Sequence, residues 1–216
     1  MDHCLCGLSN SKKNPASYTC RSYLILGDWN QLGDVNTLVD PGSDGYIIDE
    51  ITSISTGFGK LAVEQIILTH NHFDHSAGVA ALKDRFGAQV YGFCPGPGVD
   101  ELLYDGQFLK VGDDFGEVLH TPGHSSDSIC LYIPKERVLF CGDTQLRVLV
   151  SEGVYTAEYL AALEKLADRR VDRIYPGHDD PVLSNGSQLI KRSLELVKNS
   201  TIIAEGGEYS EIQRGV

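Results

Sequence analysis

Five runs in this 216-residue chain share one pattern, an apolar strand that ends in a loop or tight turn bearing His or Asp at its tip. They are Leu38-Val39-Asp40-Pro41-Gly42, Ile66-Ile67-Leu68-Thr69-His70, Val118-Leu119-His120-Thr121-Pro122-Gly123-His124, Val138-Leu139-Phe140-Cys141-Gly142-Asp143, and Arg173-Ile174-Tyr175-Pro176-Gly177-His178. Apolar strands must lie against one another to leave water, and Gly or Pro-Gly lets the chain turn sharply enough to lift the polar tip off the sheet edge. If these strand ends meet at one edge, their tips surround a single cleft.

The remaining patterning fills in a mixed α/β plan. Thr19–Leu26 and Val35–Asp40 read as strands joined by a turn-rich loop, and Tyr46–Ser55 has helical spacing. Gln65–Thr69 and Gln89–Phe93 read as strands on either side of a helix at Ser76–Phe86, followed by strands at Gln107–Val111, Glu117–His120, Ser128–Ile133 and Arg137–Cys141. Ala157–Asp168 and Gln188–Lys198 are predicted helices flanking a short strand at Arg173–Tyr175, and the stripe Tyr159, Leu160, Leu163, Leu166 marks a core-facing side. Two groups of strands interleaved with helices predict an α/β (α+β) layered fold. No Pro/Gly/Ser linker divides the chain, so residues 1–216 are expected to form a single domain, with 1–18 as an irregular N-terminal segment.

Eighteen Lys and Arg against thirty Asp and Glu give a formal charge of −12. Such a surface repels phosphate backbones, so neither nucleic acid nor a membrane is an expected partner, and a small molecule is. No apolar run approaches the roughly 20 residues of a membrane span, and the N-terminus lacks a secretory pattern, so the expected location is cytoplasmic. The six cysteines are then read as reduced thiols, with Cys130 and Cys141 inside apolar strands.

The densest chemistry is His70-Asn71-His72-Phe73-Asp74-His75. His70 and His72 are two apart, so in extended backbone they share a side. Asp74 and His75 are neighbours at the turn into a helix and point apart. Four ligand-type side chains thus leave one short loop in two pairs, which suits two metal ions better than one. Imidazole with carboxylate favours zinc, with iron or manganese as the alternatives.

His70-x-His72-x-Asp74-His75, followed in order by Gly123-His124, Gly142-Asp143 and Pro176-Gly177-His178, resembles the metallo-β-lactamase fold superfamily in its type II glyoxalase-like branch. The resemblance runs from the Asp40 strand end to His178. It implies a four-layer αβ/βα sandwich with metals at one edge. It further implies that His70, His72 and His124 hold one Zn(2+), that Asp74, His75 and His178 hold a second, and that Asp143 bridges them. Asp74 would also orient the attacking water as a catalytic residue. Asp40 resembles the family's supporting strand-end acid. His120 is expected to be structural or supporting, and Arg147 stands close enough to Asp143 in sequence to meet a substrate carboxylate.

The implied activity is hydrolysis of a small, anionic thioester, or of a related ester or lactone. A thiolate leaves without protonation, and no general acid is evident in the sequence. Only 38 residues follow His178, fewer than the helical region through which type II glyoxalases contact glutathione. The rival reading is a mononuclear-iron persulfide dioxygenase using His70, His124 and Asp143; a non-catalytic metal-binding protein is the third. A separate metal site at His3, Cys4, Cys6 and Cys20 is a further candidate. If the Val35–Asp40 strand ends at the metal edge, its antiparallel partner begins there, which sends Tyr18–Ser22 to the cleft and Trp29 to the far end.

Overall fold

The computed structural model of the chain describes residues 18–28, 31–56 and 59–204, together with the backbone of 5–8. Trp29 and the side chains of His3, Cys4 and Cys6 lie outside the described residues.

One sheet has six strands in chain order, β1 (Leu5–Leu8), β2 (Ser22–Ile25), β3 (Thr37–Val39), β4 (Gln65–Ile67), β5 (Gln89–Gly92) and β6 (Glu101–Leu102). β1 lies within the segment expected to be irregular; its backbone pairs antiparallel with β2 and covers what would otherwise be an open strand edge. β2 and β3 are antiparallel, whereas β3, β4, β5 and β6 run parallel. Parallel neighbours need crossovers. Between β3 and β4 these are a 3₁₀ turn at Gly45–Ile47 and α1 (Ile48–Ser53). Between β4 and β5 they are α2 (Phe73–Ser76) and α3 (Val79–Phe86).

The second sheet has the order β12-β10-β9-β8-β7, built from β7 (Phe108–Val111), β8 (Asp114–His120), β9 (Ile129–Ile133), β10 (Val138–Gly142) and β12 (Arg173–Pro176). β7 to β10 form an antiparallel meander, and β12 returns parallel to β10 after α4 (Ala157–Ala167). A small parallel pair, β11 (Val154–Thr156) with β13 (Thr201–Ile203), brackets α4 and α5 (Gly186–Lys198).

Strand alternation sorts the apolar side chains into three layers. Leu24, Leu38, Ile66 and Val90 pack on Ile51, Leu82 and Phe86 of the first helical layer. Tyr23, Ile25, Val39 and Ile67 face Val118, Ile129, Leu131, Val138 and Phe140 across the gap between the sheets. Leu119, Cys130, Leu139 and Cys141 pack on Tyr159, Leu163, Leu166 and Ile190 of α4 and α5. The result is helix, sheet, sheet, helix, the four-layer αβ/βα sandwich. β9 and β10 are buried along their whole length because both faces are covered. Among the described residues, no helix is long and apolar enough to cross a membrane.

The helix expected at Ser76–Phe86 is interrupted. Ala77 and Gly78 separate α2 from α3, because Gly78 donates its N–H to the Gly42 carbonyl at 2.8 Å and a Cβ there would meet the Asp44 carbonyl at 2.7 Å. The close approach locks the His70–His75 loop against the turn that follows Asp40.

Candidate metal centre

The strand tips do converge. His70 leaves the end of β4, His72 and Asp74–His75 begin α2, His124 follows β8, Asp143 follows β10 and His178 follows β12. Their donor atoms form two groups, His70/His72/His124 and Asp74/His75/Asp143/His178, each within 4.8 Å. In the first, His124 Nε2 lies 2.9 Å from His72 Nδ1, and the His70 ring stands edge-on to both. In the second, His178 Nε2 is 2.9 Å from Asp74 Oδ2 and 3.4 Å from Asp143 Oδ2, and His75 Nε2 is 3.1 Å from Asp143 Oδ1. Asp143 Oδ2 also reaches to 3.5 Å from His124 Nε2, so this carboxylate touches both groups.

Asp40 sets the protons. Its backbone is left-handed at φ +53, a conformation that Asp tolerates better than most residues. Buried to 2% exposure, its carboxylate accepts from the Thr69 N–H at 2.8 Å and the Thr69 hydroxyl at 2.7 Å, and it binds His75 Nδ1 at 2.8 Å. Since the Thr69 proton goes to Asp40, the Thr69 oxygen is left to accept from His70 Nδ1, 3.2 Å away. When neutral, both imidazoles thereby carry their proton on Nδ1 and turn a lone pair on Nε2 into the site.

Those lone pairs test whether a metal fits. His70 Nε2, His75 Nε2 and Asp143 Oδ1 are buried without a hydrogen-bond partner. Two acceptors facing each other at 3.1 Å, as in His75 and Asp143, need a positive charge between them, whether a proton or a metal ion. The electrostatics agree. Burial works against charge on His75, yet Asp40 and Asp143 hold its pKa far above the ordinary value. Burial likewise opposes ionisation of Asp143, and the neighbouring His178 and His75 side chains overcome it and keep the carboxyl ionised. Burial and the neighbouring His75 charge push His70 down to about 4, so it is neutral and ready to ligate near neutral pH. Gly177 makes room, because a Cβ there would collide with Asp143 and come within 2.7 Å of His75 Cε1.

The other candidates separate. His120 stacks on Phe93 and binds the Ser126 carbonyl at 2.8 Å through Nε2, bracing the turn that carries His124. Arg147 is exposed on the rim of a 450 Å³ cavity that opens beside His124, Asp143 and His178. Leu146, Val154, Tyr155, Tyr159, Val182 and Leu189 line its apolar part. One further residue reaches the site without having been singled out for chemistry, Thr69, whose place at a strand end just before His70 was the available signal. Cys20, expected as a ligand of a separate site with His3, Cys4 and Cys6, instead has its thiol within 4.8 Å of donor atoms of Asp40 and His75. Cys20, Cys94, Cys130 and Cys141 form no disulfides, and burial pushes the Cys20 thiol up to about 11.

A four-layer αβ/βα sandwich with two His/Asp donor groups at one edge of its sheets defines a class of metal-site proteins. The family model of the metallo-beta-lactamase superfamily matches residues 19–93 and 91–178. The chain belongs to that superfamily. A hydroxyacylglutathione hydrolase of Francisella tularensis subsp. novicida is 33% identical over 162 residues, covering 69% of this chain and 64% of the relative. An atrochrysone carboxyl ACP thioesterase of Aspergillus fumigatus is 29% identical over 196 residues, covering 85% and 46%. The chain therefore spans about half to two thirds of the length of these relatives. The crystal structure of ETHE1 from Myxococcus xanthus superposes with a TM-score of 0.61 at 23% identity, covering 89% of this chain and 90% of that one.

Proposed function

We propose that this protein is a binuclear-zinc hydrolase that cleaves a small thioester, with related esters and lactones as the neighbouring substrate class. The observation that carries the reading is Asp143, a partly buried carboxylate in reach of both donor groups. His70, His72 and His124 would hold one ion, Asp74, His75 and His178 the other, and Asp143 both. Two divalent ions bound there would supply Lewis acidity toward the substrate carbonyl and a water that ionises near neutral pH. The hydrolase and thioesterase names of the two relatives support the reaction class.

The chain's own groups divide the remaining work. Asp40 and Thr69 hold the Nδ1 protons of His75 and His70, which leaves each Nε2 as the atom that would meet an ion. Asp74 turns Oδ2 to His75 and His178, and its second oxygen is the acceptor we assign to the attacking water. The apolar cavity beside His124 and Asp143 takes the acyl portion, with Arg147 at its rim for an anionic end. A departing thiolate needs no proton, so the site can work without a general acid.

Metal analysis of the purified protein, followed by thioester, lactone and persulfide panels, tests this. Two zinc ions per chain with thioester cleavage is the expected result. One iron per chain with oxygen consumption would overturn it in favour of the dioxygenase.

A further inference from the structure

Residues 19–21 are tied to the loops that bear the donors. The Cys20 N–H donates to the Asp74 carbonyl at 3.1 Å and the Arg21 N–H to the Gly177 carbonyl at 2.6 Å. The Arg21 guanidinium meets Asp180 at 2.7 Å, and Thr19 Oγ1 accepts from the Ser43 N–H at 3.0 Å. This anchoring delivers Tyr18 to the second donor group. Its ring stacks on His178, with centroids 5.0 Å apart and planes at 22°, and its hydroxyl lies 3.5 Å from His178 Nε2. That separation is at the limit of a hydrogen bond. It is also a contact that His178 gives up once its Nε2 lone pair is committed to a metal ion. Tyr18 is nonetheless 64% exposed, and beside it Phe73, at the start of α2, is 62% exposed, with ring centroids 6.4 Å apart. Two large aromatic rings are thus held open to solvent at the rim of a polar centre, one of them with its hydroxyl beside His178 Nε2.

We propose that Tyr18 is a substrate-binding residue: its hydroxyl donates a hydrogen bond to the substrate oxygen that gains negative charge beside His178, and its ring, with Phe73, forms the wall along which the leaving group lies. The inference rests on the hydrolase reading above and supplies the one donor the sequence did not reveal. A phenol donates without having to ionise, so the hydrogen bond requires no proton transfer and suits a thioester. The apolar cavity is lined by His178 but by neither Tyr18 nor Phe73, which leaves these two rings to the departing arm of the substrate.

The test uses Tyr18→Phe and Tyr18→Ala in the full chain loaded with zinc, with S-phenyl thioacetate as substrate and acetate as product ligand. Tyr18→Phe keeps the wall and removes the donor. Its zinc content should equal wild type, kcat/KM should fall about tenfold through kcat, and acetate binding by calorimetry should weaken about tenfold. The tyrosine ultraviolet difference spectrum that accompanies zinc titration should also lose its Tyr18 component. Tyr18→Ala should in addition raise KM. Loss of zinc from Tyr18→Phe would overturn the proposal by making Tyr18 part of the metal's own support, as would unchanged acetate affinity with unchanged kinetics. If the wild-type protein cleaves no thioester, the hydrolase reading fails, and acetate binding to wild type and Tyr18→Phe then decides the role of Tyr18 alone.

Discussion

Replacing Asp40 by Asn changes one atom's chemistry and should disable both donor groups. The left-handed backbone at this position suits Asn as well as Asp, so the substitution adds no backbone strain. Asn can keep the bond from the Thr69 N–H through its carbonyl oxygen, but its NH₂ then faces the Thr69 hydroxyl and His75 Nδ1, where a carboxylate oxygen stood. The hydroxyl must now accept, so its proton turns to His70 Nδ1, and His75 Nδ1 must accept as well. Both imidazoles move their protons to Nε2, the atoms that otherwise present lone pairs to the site. It is the same tautomer fault that an Asp→Asn change introduces into a Ser-His-Asp triad. Loss of an outer partner of a metal-bound imidazole costs 10–100-fold in affinity, or about 1.4–2.7 kcal/mol, and here two are affected. The metal-free protein also loses the anion that stabilises charged His75, a further loss of about 2–3 kcal/mol. Calorimetric titration of zinc into metal-free Asp40→Asn, with urea unfolding of the same sample, measures both. Zinc affinity and stoichiometry within twofold of wild type would refute the proton assignment.

Three more outcomes follow from the same geometry. Asp143→Ala should lose both ions, read by metal analysis, because its carboxylate contacts both donor groups; retention of full metal content would show that it does not bridge. Gly177→Ala should lower stability by about 1–3 kcal/mol and empty the Asp74/His75/His178 group first, since the new methyl takes space now held by Asp143 and His75, as thermal unfolding and metal content would report. In metal-free protein, His70 takes its proton at about 4 when folded against 6.5 when unfolded, so the unfolded chain binds it first as pH falls. The stability due to a neutral His70 is present above pH 6.5 and lost between 6.5 and 4, about 3 kcal/mol in all, and urea midpoints of His70→Gln against wild type should show that slope removed.

The strand tips were readable because their chemistry is written locally: an apolar run fixes the strand, a Pro-Gly or Gly fixes the turn, and the His or Asp follows. Convergence of the tips was a condition the sequence left open; it is met because β3 and β4 run parallel in one sheet and β8, β10 and β12 run the same way in the other, and the antiparallel β2 then brings Tyr18–Ser22 to the cleft. What escaped depends on long-range contact. The gap between α2 and α3 is set by Gly78 pressing on the turn after Asp40, thirty-odd residues earlier in the chain. β6 has two residues and the β11–β13 pair three each, too short for alternation to show. Thr69 reads as one more β-branched strand residue until Asp40 is placed beside it, and nothing local distinguishes Tyr18 from any other tyrosine near a strand.

The donor groups draw on both halves of the sandwich. His70, His72, Asp74 and His75 hang from the first sheet, and His124, Asp143 and His178 from the second. Near the site the halves are joined by the Ile129 N–H donating to the Thr69 carbonyl at 2.8 Å, and elsewhere by Gln65 reaching the Lys110 carbonyl. Ions held at this rim would therefore rivet together two slabs that otherwise meet chiefly through the apolar layer between their sheets. Chelation should then loosen the seam before either slab: amide exchange ought to quicken at Thr69, Ile129 and Gly177 while Ile51 in one slab and Ile190 in the other keep their protection.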